Sequence, residues 1–458
     1  LFPAQRDYTK FWTMAILHKR EALALVLLGL VGISKAFQPK VSHIHRQAQP
    51  KCAPLTSATI ENIEKVSELE RFPVDYSGLG GKALLLNEFP SKQEVFDAIP
   101  AHCWDKSTPR SLAHAATSLG MTLGLGFAAA AILPLQGAYA IAWAAYAVVT
   151  GTVATGCWVI AHECGHGAFS NNKALQDFVG YTLHTALLVP YFSWQRSHAV
   201  HHANTNHLTR GETHVPPTSH SAGGQGRLAV RAGYEKLFGP KMGQALHGAQ
   251  ELVLHLVFGW PAYLLAGATG GPDRGMTNHF WPLKPFSTGE KTTELFPGAW
   301  KNKVWLSDVG IVAMLGALGL WASKAGALTV AALYGGPYLV VNCWLVLYTW
   351  LQHTDVDVPH YEAEDWNYMK GAFQTIDRPY GRVLDFLHHH IGSTHVVHHI
   401  DCTIPHYHAL EATKAVEKAF PEHYLYEPTP IAQALWRVST KCLTVDKVGD
   451  KWVFAQNK

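Results

Sequence analysis

Three short runs of histidine define the chemistry this chain could perform. They are His162-Glu163-Cys164-Gly165-His166, His198-Ala199-Val200-His201-His202 and His395-Val396-Val397-His398-His399. On a helix, positions i, i+3 and i+4 share one face, with neighbouring side chains about 5–6 Å apart. Each run can therefore aim two or three imidazoles at one point. Eight imidazoles are too many for a single zinc ion, which usually takes about four ligands. They suit two ions of higher coordination that keep positions open for another ligand. Imidazole accepts iron, zinc, copper and nickel alike, so ligand type alone leaves the metal unnamed.

Other readings of the same residues account for less. The first run also matches HExxH, in which two histidines bind zinc and Glu163 would be the general base of a metalloprotease. That reading explains one run and leaves six clustered histidines idle. A carboxylate-bridged di-iron bundle needs Glu-x-x-His motifs from two helices, and Glu163–His166 is a single one. A haem or metal transporter would carry ionisable residues along a span, whereas these runs flank apolar segments.

The elements that must position the histidines belong to a membrane. Charged residues make up 16% of the chain, against about 25% in an ordinary soluble domain. Residues 111–162 contain no Asp, Glu, Lys or Arg. That stretch exceeds the roughly 20 residues that one crossing requires, and Pro134-Leu135-Gln136-Gly137 divides it into spans near 112–133 and 138–160. Further apolar stretches at 304–321 and 328–350 form a second pair around Ser323-Lys324-Ala325-Gly326. The segment 252–268 is short, carries His255 and is interrupted by Trp260-Pro261, which reads as interfacial or re-entrant. Two hairpins make an even number of crossings, so segments 161–245 and 352–458 face the same side and their histidines can meet. The expected fold is all-α: four spans with a helical cap on one side.

A net charge of +3 and the lack of a basic stripe with interleaved aromatics give no footprint for nucleic acid. Seven cysteines without a CxxC pair suggest neither a disulfide framework nor a thiolate zinc site. Residues 1–60 read as a leader. His18-Lys19-Arg20 precedes a short apolar run at 22–33, as in a secretory signal peptide, and 37–60 is basic, hydroxylated and free of acids, as in a plastid transit peptide. The expected organisation is leader 1–60, polar segment 61–110, catalytic domain 111–410 and a C-terminal tail 411–458.

The chain resembles the membrane fatty acid desaturases, within them the Δ12/ω-6 and ω-3 branch, over about residues 99–408. The likeness rests on the histidine runs and on Ile99-Pro100-Ala101-His102-Cys103, His201-His202-Ala203-Asn204-Thr205, Trp350-Leu351-Gln352-His353-Thr354 and Ile404-Pro405-His406-Tyr407-His408-Ala409. It implies two iron ions held by His162, His166, His198, His201, His202, His395, His398 and His399. His353 is the candidate for a ninth ligand. Glu163 and Asn204 would orient imidazoles. His390 is near enough to the third run to assist, while His388 and His389 would be interfacial.

The implied reaction consumes dioxygen and two electrons and removes two hydrogens from adjacent methylenes of an acyl chain, which the resemblance places on a glycerolipid. The protein's part is to hold one C–C bond against the metals. Glu163 and Ala168-Phe169-Ser170 resemble the ω-6 enzymes, whereas Gly167 resembles the ω-3 version and Ala199-Val200 looks algal. The expectation is therefore ω-6, with ω-3 desaturation or hydroxylation as alternatives. No His-Pro-Gly-Gly haem motif is present, so the electron donor should be a separate protein. The leader points to a plastid membrane and ferredoxin, with the endoplasmic reticulum and cytochrome b5 as the alternative.

Overall fold

A computed structural model describes residues 76–135, 139–290 and 292–455. The leader and the second half of the 134–137 turn lie outside the described residues. In chain order the main helices are α1 (Thr108–Ile132), α2 (Ala140–His166), α3 (Lys173–Ala186), α4 (Tyr191–Ala203), α5 (Pro240–Val253) and α6 (Gly259–Ala266). They are followed by α7 (Trp300–Ala325), α8 (Ala327–His353), α9 (His395–Ile400), α10 (His406–Ala419) and α11 (Ile431–Lys441).

Four of these, α1, α2, α7 and α8, are long and apolar enough to cross a membrane, and they coincide with the four expected spans. At 1.5 Å per residue they exceed a hydrocarbon core about 30 Å thick. The excess matters at the ends of α2 and α8. Each helix runs past its apolar window, to His166 and to His353. A helix continues wherever backbone hydrogen bonding continues, so its apolar window underestimates its length. Gly326, at φ 91°, breaks the chain between α7 and α8 in a conformation that disfavours any side chain. The segment 252–268 is not a fifth span. Helix α5 widens through one turn at Leu254–Phe258 into α6, with Val253, Leu254, Val257, Phe258 and Leu265 exposed.

Helix α2 lies at the centre, with 67% of its apolar window buried by protein, against 17%, 22% and 28% for α1, α7 and α8. Its glycines permit this. A side chain at Gly151 would strike Val340 and the Pro337 carbonyl, and one at Gly156 would strike the Leu387 carbonyl. Small residues at such contacts let helices approach closely within a membrane.

The cap is built on α3, α4, α9, α10 and α11. Val95, Phe373, Val397, Ile400 and Val416 form one core of it, and Leu351, Val356, Val438 and Phe454 belong to another. The residues after 410 are not a tail. They hold most of α10, all of α11 and an antiparallel hairpin of β1 (Val445–Val448) and β2 (Lys451–Phe454), the one sheet among the described residues. A buried ionic hub ties them to the end of α8. The Arg378 guanidinium donates to Asp355 at 2.7 Å, to the Leu351 carbonyl at 2.8 Å and to Glu427, while Arg437 donates to Asp355 at 2.9 and 2.7 Å.

Candidate metal centre

Four elements deliver the histidines. The first run occupies the last turn of α2, which stops immediately after His166 because Gly167 turns left-handed at φ 78°. There the Ala168 N–H closes back onto the Glu163 carbonyl at 3.0 Å, satisfying a helix-end acceptor. The second run closes α4, and the third makes up most of α9. Helix α9 begins where it does because Asp377 accepts from the backbone N–H groups of His395 at 2.5 Å and Val396 at 3.0 Å. The fourth element is the end of α8, with His353.

The imidazoles fall into two groups. One contains His162, His166, His198, His202 and His398, and the other is built on His201, His353 and His399. His395 joins the second, its Nε2 3.0 Å from that of His353. Each HxxHH run is thus divided. In α4 the i and i+4 pair faces the first group and His201 faces the second, while in α9 His398 faces the first and the i, i+4 pair faces the second. With His353 the second group holds four imidazoles.

The arrangement fits metal ions. Nε2 atoms stand 2.9 Å apart for His162–His198, 3.2 Å for His162–His166 and His198–His202, and 3.1 Å for His201–His353. Bonds of about 2.0–2.1 Å at right angles place neighbouring ligand nitrogens about 3 Å apart. Hydrogen bonds among these rings cannot satisfy every nitrogen. Nδ1 of His162, His202, His353 and His395, and Nε2 of His398 and His399, are buried without a partner. Burial holds the His198, His201, His202, His395, His398 and His399 imidazoles below their ordinary value, His201 at about 4, so they are neutral with lone pairs available.

Several supports were not legible as such in the sequence. Trp194 stacks on His198 at 4.6 Å, His202 stacks on His399 at 4.0 Å, and the Thr205 hydroxyl lies 3.1 Å from His399 Nδ1. His214, at a positive φ of 57°, lies parallel to His353 at 6.1 Å. Thr205 stood within a quoted phrase, but no local pattern marks Asp377 or His214, which arrive from distant segments. The expected orienting groups point elsewhere. Both Glu163 oxygens accept from His406, one from its backbone N–H at 2.5 Å and one from Nδ1 at 2.6 Å. A carboxylate so engaged is not free to activate water at His162 and His166, which counts against the metalloprotease reading. Asn204 donates within its own helix to the Val200 carbonyl at 2.9 Å. His390 Nδ1 lies 3.3 Å from the Ser393 hydroxyl and stands outside both groups. His388 is buried, not interfacial, with ring nitrogens 2.7 Å from the Tyr348 hydroxyl and 2.7 Å from the Thr152 carbonyl.

A cavity of about 290 Å³ reaches both groups through His198 and His201. Its apolar wall includes Leu254, Phe258, Leu345 and Val346, and its polar residues include Glu212 and Arg227. Leu254 and Phe258 are also exposed on the outer surface. Burial pushes the Glu212 carboxyl up to about 7, where Ser197 and Tyr263 face it. A larger cavity of about 400 Å³ lies among the spans and touches none of the box histidines.

The fatty acid desaturase family model matches residues 141–429. A relative from Mortierella isabellina named Delta(12) fatty acid desaturase is 39% identical over 375 residues, covering 80% of this chain and 90% of its own. The Delta(12)-fatty-acid desaturase of Arabidopsis thaliana is 37% identical over 392 residues, covering 83% and 96%. The enzyme of Brassica juncea named omega-6 fatty acid desaturase, endoplasmic reticulum, is 37% identical over 363 residues, covering 78% and 88%. This chain is an integral membrane oxidoreductase of the fatty acid desaturase family.

Proposed function

We propose that the chain introduces a cis double bond at the Δ12/ω-6 position of a monounsaturated acyl chain carried on a glycerolipid. The observation that supports this most is an apolar cavity, walled partly by outward-facing apolar residues, that ends on both imidazole groups. The regiochemistry rests on the names of the relatives.

His162, His166, His198, His202 and His398 would hold one iron, and His201, His353, His395 and His399 the other. When bound, the pair supplies dioxygen activation. The rest falls to the chain's own residues. The cavity aligns one C–C bond beside His198 and His201, and Trp194 with the buried cap excludes water. Two electrons and two protons accompany each dioxygen, which leaves as two waters while the acyl chain loses two hydrogens. The relatives from Brassica juncea and Glycine max carry endoplasmic reticulum in their names. That favours the endoplasmic reticulum and cytochrome b5 over the plastid and ferredoxin that the leader suggested.

The test is the fatty acid profile of yeast expressing residues 61–458, with double bonds located by mass spectrometry. New 16:2 and 18:2 with the added bond at ω-6, lost in His398→Ala, is the expected result. A product bond at ω-3, or a hydroxylated product, would overturn the regiochemistry or the reaction. Product formed only in a ferredoxin-containing cyanobacterium would restore the plastid reading.

A further inference from the structure

A third histidine cluster stands apart from the nine. His114 of α1, His389 of the loop before α9 and His406 at the start of α10 bring one ring nitrogen each within 4.8 Å of one another. The His406 ring lies 4.5 Å from His114 and 4.6 Å from His389. His389 and His406 are both 7% exposed. The His406 Nε2 is buried without a hydrogen-bond partner, and leaving such an atom unpaired is costly.

The other nitrogen of that ring explains the orientation. Nδ1 donates to a Glu163 oxygen at 2.6 Å, and the His406 backbone N–H donates to the second at 2.5 Å. A carboxylate on Nδ1 fixes the tautomer and leaves the Nε2 lone pair facing the two other rings. Carboxylate–imidazole pairs of this kind commonly support zinc ligands. His389 is held in place by Ser118, whose hydroxyl lies 2.9 Å from its Nε2. His389 and His390 both adopt positive φ, 52° and 62°. Consecutive non-glycine residues in that region are strained and persist where surroundings over-determine them.

We propose that His114, His389 and His406 form a separate site for one divalent metal ion, with zinc the best match. Three imidazoles and an open fourth position suit a tetrahedral ion with bonds of about 2.0–2.1 Å, which draws the nitrogens somewhat closer together. Burial and the neighbouring rings keep His389 neutral, as a ligand must be. The ion would staple α1 to the loop and to α10, segments distant in sequence that flank the last turn of α2. Its role is structural, and it is independent of whether the box histidines hold iron.

The test titrates the purified, iron-loaded full-length enzyme with Zn²⁺ and counts ions bound per chain, with iron measured separately. The wild type should take up one zinc beyond its iron. His114→Leu and His389→Asn should each weaken that uptake at least tenfold while iron content stays at the wild-type level. Glu163→Gln should weaken it about 10–100-fold through loss of the supporting carboxylate. A wild-type enzyme that binds no extra zinc would overturn the proposal. So would zinc uptake unchanged in both His114→Leu and His389→Asn. If iron content were nil throughout, the di-iron reading would fail while the difference in zinc uptake still decided this one.

Discussion

The spans and the cap are built to different tolerances. Helices α1 and α7 bury 17% and 22% of their apolar windows against protein, and their outward residues need only be compatible with lipid. In the cap, Arg378, Asp355, Glu427 and Asp377 are wholly buried, and each depends on named partners. A lipid-facing position accepts many apolar side chains, whereas a buried charge or ligand accepts very few. The helix that belongs to both regions is α2, the most buried of the four spans, which ends on the first histidine run.

The contrast is sharpest at the ligands themselves. His201→Ala should abolish double-bond formation and lower bound iron, because it removes the one imidazole that α4 gives to the second group. Product analysis and metal content check this together. Next comes the hub. Arg378→Met leaves Asp355 and Glu427 buried with one guanidinium fewer and should cost about 3–5 kcal/mol, read as a large fall in thermal stability in detergent. If stability were unchanged, the cap would be far more tolerant than its burial suggests.

Acid should act on the cap before the spans. Burial lowers the His201 imidazole to about 4, while an unfolded histidine titrates near 6.5. Between those values the unfolded chain binds protons that the folded chain refuses, so stability falls as pH drops through that window. An unfolding temperature that rises as pH drops from 6.5 to 4 would contradict this. Gly156→Val, which forces a side chain of α2 against the Leu387 carbonyl, should cost about 1–3 kcal/mol. The smallest effect belongs to Phe127→Leu, at a residue 74% exposed on α1. It should stay within about 0.5 kcal/mol, and a larger loss would reveal a packing partner on that face.

The same contrast explains what could be read from the sequence. The four spans were legible because a crossing demands a long uncharged run, and the histidine runs because i, i+3, i+4 spacing is a local property. His353 stood within the phrase Trp350–Thr354, and its ring lies 3.1 Å from His201 and 3.0 Å from His395, a placement that local spacing does not encode. Illegible were the division of each run between two groups, the capping of α9 by Asp377 and the diversion of Glu163 to His406. All three depend on contacts between residues far apart in the chain. The cap role of residues after 410 was hidden for the same reason: α11 alone resembles any amphipathic helix, and its purpose emerges when Arg437 meets Asp355.

The most direct test of the central claim is Mössbauer spectroscopy with iron quantitation on the purified enzyme loaded with ⁵⁷Fe, wild type beside His353→Ala. Two irons per chain in two distinguishable environments are expected, with the variant altering one environment and leaving the five-imidazole one unchanged. A single iron per chain, or two equivalent irons that His353→Ala leaves untouched, would contradict the division into five and four.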